Sequence, residues 1–227
     1  MKDAFQEIND SLLHIEREMK YLNEYQVVIG FFGDEDSQLL EIVRANEYGA
    51  DIVPKKGKYL WVPSSYAIKK YGKSVKPSDI PHLFVPKNKR VACITENKEL
   101  VVCFYLLKKS RIPARAFIRK AFLDNQQKYK RYVLAGIDKI CYENGTGKEL
   151  LTTLGKLGVS DIREEMKRWY KPGNAPLTID NKKGVNNPLV DTGSLIKHVT
   201  WKILPIGEIK WASIFHSRTW LIALVLT

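Results

Sequence analysis

Phe5, Ile8, Leu12, Ile15, Met19 and Leu22 recur at alternating steps of three and four, the spacing that lines up one apolar stripe on a helix. Acidic and polar residues flank the stripe, so the chain is predicted to open with an amphipathic helix that has one side to bury. The run YQVVIGFFG at 25–33 is β-rich. Asp36 or Ser37 can then cap a second helix through Leu39, Leu40, Ile42 and Val43, ended by Gly49.

From 50 to 109 the pattern changes. Short apolar runs, YLWV at 59–62, LFV at 83–85, VACI at 91–94 and VVCFYLL at 101–107, are separated by Pro, Gly and Lys. The last two flank TENKEL and predict a hairpin. The region is expected to be a β-rich insertion between the second helix and the segment IPARAFIRKAF at 112–122.

In that segment Pro113 biases Ile112 away from helical angles and cannot donate a backbone hydrogen bond. A long helix is predicted to start afresh at Arg115 and to run to Tyr142 on Phe117, Ala121, Phe122, Tyr129, Val133, Ile137 and Ile140, with Gly136 a weak point or a close contact. Thr146-Gly-Lys-Glu149 fits a capping box opening a helix through Leu150, Leu151, Leu154 and Leu157. Gly155 and Gly158 are expected to interrupt it, with a restart at Ser160 or Asp161. KPGNAP at 171–176 is a loop, Asp191 can cap a short helix with Leu195 and Ile196, and VTWKIL, EIKWASIF and WLIALVL are β-like. WLIALVL is far shorter than the roughly 18 residues of a membrane span.

Charge adds a surface to this picture. The net charge is +12, but residues 1–50 are net −7 while 51–90 and 108–131 are each net +8. Clustered Lys and Arg can neutralise phosphates; opposite patches can equally fix the register of subunits, and a solvated basic surface is the plain alternative. Tyr59, Trp61, Tyr66 and Tyr71 could stack on bases among these lysines, although their alternation with apolar residues favours packing in a small core.

Chemistry finds little purchase. Three cysteines, Cys93, Cys103 and Cys141, form no metal-binding spacing with the histidines, and the first residues lack a basic-then-apolar leader pattern, which reads as a cytosolic chain with reduced thiols. ENGTGKE at 143–149 is not a phosphate loop, since Tyr142 and Glu149 stand where Gly and Ser or Thr would be needed. His198 near Asp191 and Ser194 lacks a nucleophile elbow. Glu164 and Glu165 are adjacent on a helix and diverge. No catalytic residue, cofactor or metal is expected.

Three landmarks stand in order: ANEYGA at 45–50, IPARAFIRKAF at 112–122 and NPLVDTGSLIKHVTWKI at 187–203. Together they resemble the tail-completion (neck) proteins of tailed bacteriophages and prophages, including the Mu G-like virion-morphogenesis proteins. The resemblance covers roughly 1–50 and 110–204; the insertion is longer than in the simplest members, and 205–227 extends past the pattern as a C-terminal β extension.

The resemblance implies a single α+β domain, with helices packed on an antiparallel sheet and the β-rich insertion at about 50–109. It implies a non-enzymatic virion subunit of the tail or neck, made in the host bacterial cytoplasm. Such a subunit forms a hexameric ring with copies of itself and meets tail-tube, tail-terminator or head-connector proteins. Genomic DNA passes through its channel, and no membrane is involved. Carried over by position, Glu47, Gly49, Pro113, Ala114, Arg115, Phe117, Arg119, Asp191, Thr192, Gly193 and Leu195 are the interface or structural motif residues. Pro113 and Phe117 are expected to shape the fold, and Asp191, Thr192 and Gly193 to cap and turn, with Leu195 buried. Arg115 and Arg119, spaced i, i+4, are expected to share a helix face and reach a carboxylate of another subunit, so that Arg115→Glu would disrupt assembly more than folding. The alternative is a nucleic-acid-binding module using the basic blocks 51–90 and 108–131.

Overall fold

The computed structural model describes residues 3–32, 37–181, 187–190, 193–208 and 222–226. The fold is α+β, with helices packed on an antiparallel sheet. Helix α1 (Ala4–Glu24) leads into β1 (Tyr25–Phe31), followed by α2 (Ser37–Tyr48). After the insertion come the long helices α4 (Phe117–Tyr142) and α5 (Gly147–Arg168), the short helices α6 (Pro176–Asn181) and α7 (Ser194–Lys197), then β7 (Thr200–Pro205) and β8 (Ile222–Leu226). EIKWASIF, apart from Glu208, lies outside the described residues.

Strand β1 is the centre of the main sheet, antiparallel to β7 on one side and to β8 on the other. The C-terminal segment is therefore no appendage: β8 aligns Leu226 with Val27 and Ile222 with Phe31. A central strand is hydrophobic on both faces, and Val27, Val28, Ile29 and Phe31 have no exposed surface. Val27, Ile29 and Phe31 share the main core with Phe117 and Ala121 of α4 and Leu151, Leu154 and Ile162 of α5. Phe31 meets Phe117 edge-on at 6.2 Å between ring centroids.

The glycines of α5 do not interrupt it. A Cβ at Gly155 would stand 2.5 Å from Cδ2 of the Trp201 indole, and one at Gly158 2.4 Å from Ile29 Cδ1. The helix is continuous because these two positions let it lie close against β1 and β7, which offsets the roughly 1 kcal/mol that a mid-helix glycine costs. Gly136 is likewise a contact point, its absent Cβ leaving room for Leu150 Cδ1. Thr146 and Glu149 form the expected capping box, at 3.2 and 3.1 Å.

The insertion is rooted by a two-stranded ladder, β2 (Ala50–Ile52) against β6 (Ser110–Ile112). Beyond the root stands a sheet in the order β3 (Leu60–Pro63), β5 (Glu99–Leu107), β4 (Val91–Glu96). The expected hairpin joins β4 to β5, with Asn97 and Lys98 both at positive φ (50° and 67°), as its tight two-residue turn requires. The β-rich insertion also holds a helix: Ser64 Oγ accepts the Ala67 N–H and caps α3 (Ser65–Tyr71). One expectation needs correcting. LFV at 83–85 makes only an isolated bridge, Phe84 to Cys93. Ala67, Ile80, Ala92, Ile94, Cys103 and Phe104 form a second core, against which Tyr66 and Tyr71 pack. Trp61, by contrast, remains 42 % exposed, with one edge on Phe104.

Candidate functional site: a buried junction and an uncovered helix flank

The first two landmarks meet where the insertion joins the body. Helix α2 ends at Gly49, whose φ of +79° suits glycine; a Cβ there would approach Ala114 N to 3.0 Å and Ile112 O to 3.1 Å. The turn therefore lies directly against the extended Ile112–Ala114 segment. Pro113 is half-buried and Ala114 exposed, and the helix starts at Phe117 rather than Arg115, with Ala116 at its N-cap position offering no side-chain bond. Phe117 N–H bonds the Arg115 carbonyl, and the next two amides are satisfied from elsewhere in the chain.

Glu47, fully buried on α2, supplies that partner. Its Oε2 accepts the Ile118 N–H at 3.0 Å, and its Oε1 accepts the Arg119 N–H at 3.3 Å and the Arg119 Nε–H at 3.0 Å. A carboxylate at a helix N-terminus also meets the positive end of the helix dipole. Burial pushes the Glu47 carboxyl above its ordinary range, and the amides and Arg119 pull only partly against that. Arg119 adds a bond from Nη2 to the Glu47 carbonyl at 3.1 Å and lies over the Tyr48 ring.

Arg115 faces inward, contrary to the expectation that it shares an outer face with Arg119. It precedes the helix, so the i, i+4 relation does not apply. It is 6 % exposed, and its guanidinium donates to Pro172 O (3.1 Å), Asn46 Oδ1 (2.7 Å) and Gly173 O (3.0 Å). Its backbone N–H bonds Asn46 O. Three carbonyl-type oxygens fill the rigid fork, which ties α2, the start of α4 and the 171–176 loop together. Arg115→Glu would thus place a carboxylate among acceptors and damage folding before assembly, and Arg119 finds its carboxylate within its own chain. The sequence pattern carried no sign of Asn46, Pro172 or Gly173 as partners, because two of the three contacts use main-chain oxygens, which any residue supplies.

The third landmark is built elsewhere, at the C-terminal half of α5. Asn187 Nδ2 donates to the carbonyls of Met166 and Lys167, and Arg163 donates to those of Ile196 and Val199. Gly193, at φ +78°, is the residue before α7, and Leu195 is half-buried against the main core. Asp191 and Thr192 lie outside the described residues. His198 Nδ1 bonds Ser194 O at 2.7 Å, within its own helical turn.

A second buried carboxylate repeats the Glu47 device. Glu18 of α1 accepts the Gly147 N–H at 3.0 Å, in the first turn of α5. Burial works to raise the Glu18 carboxyl, but that amide and Arg17 outweigh it and hold it below its ordinary range. Between α4 and α5, Asp161 accepts the Tyr129 hydroxyl at 2.7 Å and pairs with Lys128, while Glu165 pairs with Arg168 and Lys120. Burial, with Asp161 adding to it, pushes the Tyr129 phenol far up. Each of these acids has a donor inside the chain. Among the described residues no group of three or more His, Cys, Asp or Glu converges as metal ligands, and no helix is long and apolar enough to cross a membrane.

The surface holds what the interior does not use. Along α1, residues 3–13 are all exposed, with Phe5 at 77 % and Ile8 and Leu12 at 60 % each, whereas Ile15, Met19 and Leu22 are partly buried. Nearby, α4, α5 and the end of α1 enclose an apolar groove of about 250 Å³, lined by Leu22, Phe122, Val133, Ile137 and Leu151 and edged by Gln126 and Lys130. Comparison of the chain with protein-family models, with characterised proteins and with solved structures gave no match.

Proposed function

We propose that this chain is a structural virion subunit, one copy of a ring at the head-proximal end of a phage tail, acting in tail completion or head–tail joining without catalysis. The observation that carries the reading is the bare apolar flank of α1. Phe5, Ile8 and Leu12 lie at steps of three and four, and hydrophobic surface of that kind on a helix marks a partner site. The charge division supports identical partners, since an acidic N-terminal end and basic middle segments favour head-to-tail contacts between unlike faces, the geometry that closes into rings. The ordered landmarks supply the phage context, and two of them build the Glu47 junction. The ring would be hexameric, with tail-tube, tail-terminator or connector proteins as neighbours and DNA in its channel.

Native mass spectrometry of the purified chain, alone and mixed with tail or connector proteins, is expected to give a closed ring, and negative-stain images should place it at the tail end. A strict monomer in both settings overturns the reading.

One observation favours a second reading, DNA binding by the insertion: Lys55, Lys56, Lys58, Lys73 and Lys76 are all exposed on a unit net +8 over 51–90. It requires affinity that falls with salt by about 0.9 in log K per decade for each phosphate contacted. Absence of filter retention at low salt removes it.

A further inference from the structure

We infer that the exposed first half of α1 docks, in a neighbouring copy of this chain, along the apolar groove between α4 and α5; this rests on the ring reading and names the two surfaces that make the ring. The arm cannot fill the groove of its own chain. Leu22, at the far end of α1, lines that groove, and an unbroken helix carries Leu12 and Phe5 about 15 and 26 Å away from it at 1.5 Å per residue.

The groove is more than long enough for the arm. Phe122, Val133 and Ile137 run the groove along about 22 Å of α4, against about 10 Å between Phe5 and Leu12. Leu123 and Leu134, 61 % and 52 % exposed, stand on the same side of α4 as Lys130, at steps of seven and four, and widen the apolar edge. An amphipathic helix laid in an apolar groove is a common recognition mode.

Charge selects this occupant over the obvious rival, pairing of two α1 arms. Residues 3–16 hold Asp3, Glu7, Asp10 and Glu16 and no Lys or Arg, so two arms side by side repel. The groove instead has the exposed Lys130 on its edge, on a helix whose first half lies in the basic segment 108–131. Attraction between the acidic arm and this basic flank acts over a screening length of about 8–10 Å.

The contact is head-to-tail, which permits a decisive mixing experiment with the full chain. An arm variant (Ile8→Asp with Leu12→Asp) and a groove variant (Leu123→Asp with Leu134→Asp) change exposed positions only, and circular dichroism checks that both fold. In whichever setting the wild type assembles, each variant alone should be monomeric. Mixed in equal amounts they should form a 1:1 pair of twice the monomer mass, because one retains a groove and the other an arm. A mixture that stays monomeric while the wild type assembles overturns the docking and leaves the ring reading standing. So does an arm or groove variant that still assembles. A wild type that never assembles defeats the ring reading itself, and the docking with it.

Discussion

Replacing Glu47 by alanine isolates the capping of one helix by another element. The substitution removes the acceptor of the Ile118 and Arg119 amides, bonded at 3.0 and 3.3 Å, at a helix start where Ala116 offers no side-chain cap. Losing a cap costs about 0.5–2 kcal/mol, and leaving the buried Ile118 donor without a partner costs about 1–3 kcal/mol. The two overlap, so the expected loss is about 2–4 kcal/mol, a large share of the 5–15 kcal/mol typical of a folded chain. At about 2–4 °C per kcal/mol for a protein of this size, the melting temperature should fall by roughly 5–15 °C. Urea titration and thermal melting followed by circular dichroism read both quantities. Arg119→Ala separates capping from ion pairing: it removes a half-exposed cation, while the buried carboxylate it leaves is still held by the two amides, so the loss should be the smaller one, about 1–2 kcal/mol. Glu47→Ala within about 0.5 kcal/mol of the wild type would refute the capping argument, and equal losses for the two variants would assign the work to the ion pair.

Arg115→Lys keeps the charge but cannot serve three oxygens in the fork's geometry; a loss of about 2–3 kcal/mol is expected, and an unchanged urea midpoint would contradict the inward placement. Gly155→Ala gains about 1 kcal/mol of helix propensity and loses about 1–3 kcal/mol by driving a methyl into the Trp201 ring. It should be destabilising alone and less so in a Trp201→Leu background, as a double-mutant cycle would read. The two carboxylates that cap in trans have opposite pH signatures. The Glu18 carboxyl is held low, so its contribution is full above the ordinary carboxyl range and lost as pH falls through its lowered value; Glu18→Gln should flatten the acid side of the stability profile. The Glu47 carboxyl is raised, so the folded state holds its proton more tightly and stability declines as pH rises through that window. Stability profiles of Glu18→Gln and Glu47→Gln should therefore depart from the wild type in opposite senses.

Periodicity and punctuation carried most of the fold. The α1 stripe, the Gly49 stop, the hairpin about TENKEL and the Thr146 capping box are local features, set by residues within a few positions of one another, and each stands where its pattern put it. What was illegible depends on distant partners. Gly155 and Gly158 look like breaks until Trp201 and Ile29, far off in the chain, are brought against them. Arg115 looks like a surface cation because nothing nearby announces that Asn46 and two loop carbonyls will surround it. Ser64 does not announce itself as a cap, because only seven helical residues follow it, too few for an amphipathic pattern to stand out among strands. The α1 stripe shows the opposite case: six apolar positions predict burial, and the folded monomer covers only the later ones, so the uncovered remainder is itself the information.

The Ala50–Ile52 and Ser110–Ile112 ladder brings the two ends of a long excursion side by side. A chain that leaves and re-enters at neighbouring points imposes no span on what lies between, and lengthening such a loop costs little, about 0.6 kcal/mol per doubling. The lobe carried on that ladder can therefore lengthen, shrink or be exchanged in evolution while the helical body stays as it is, and a short linker joining the two strands would be the graft site for doing the same at the bench.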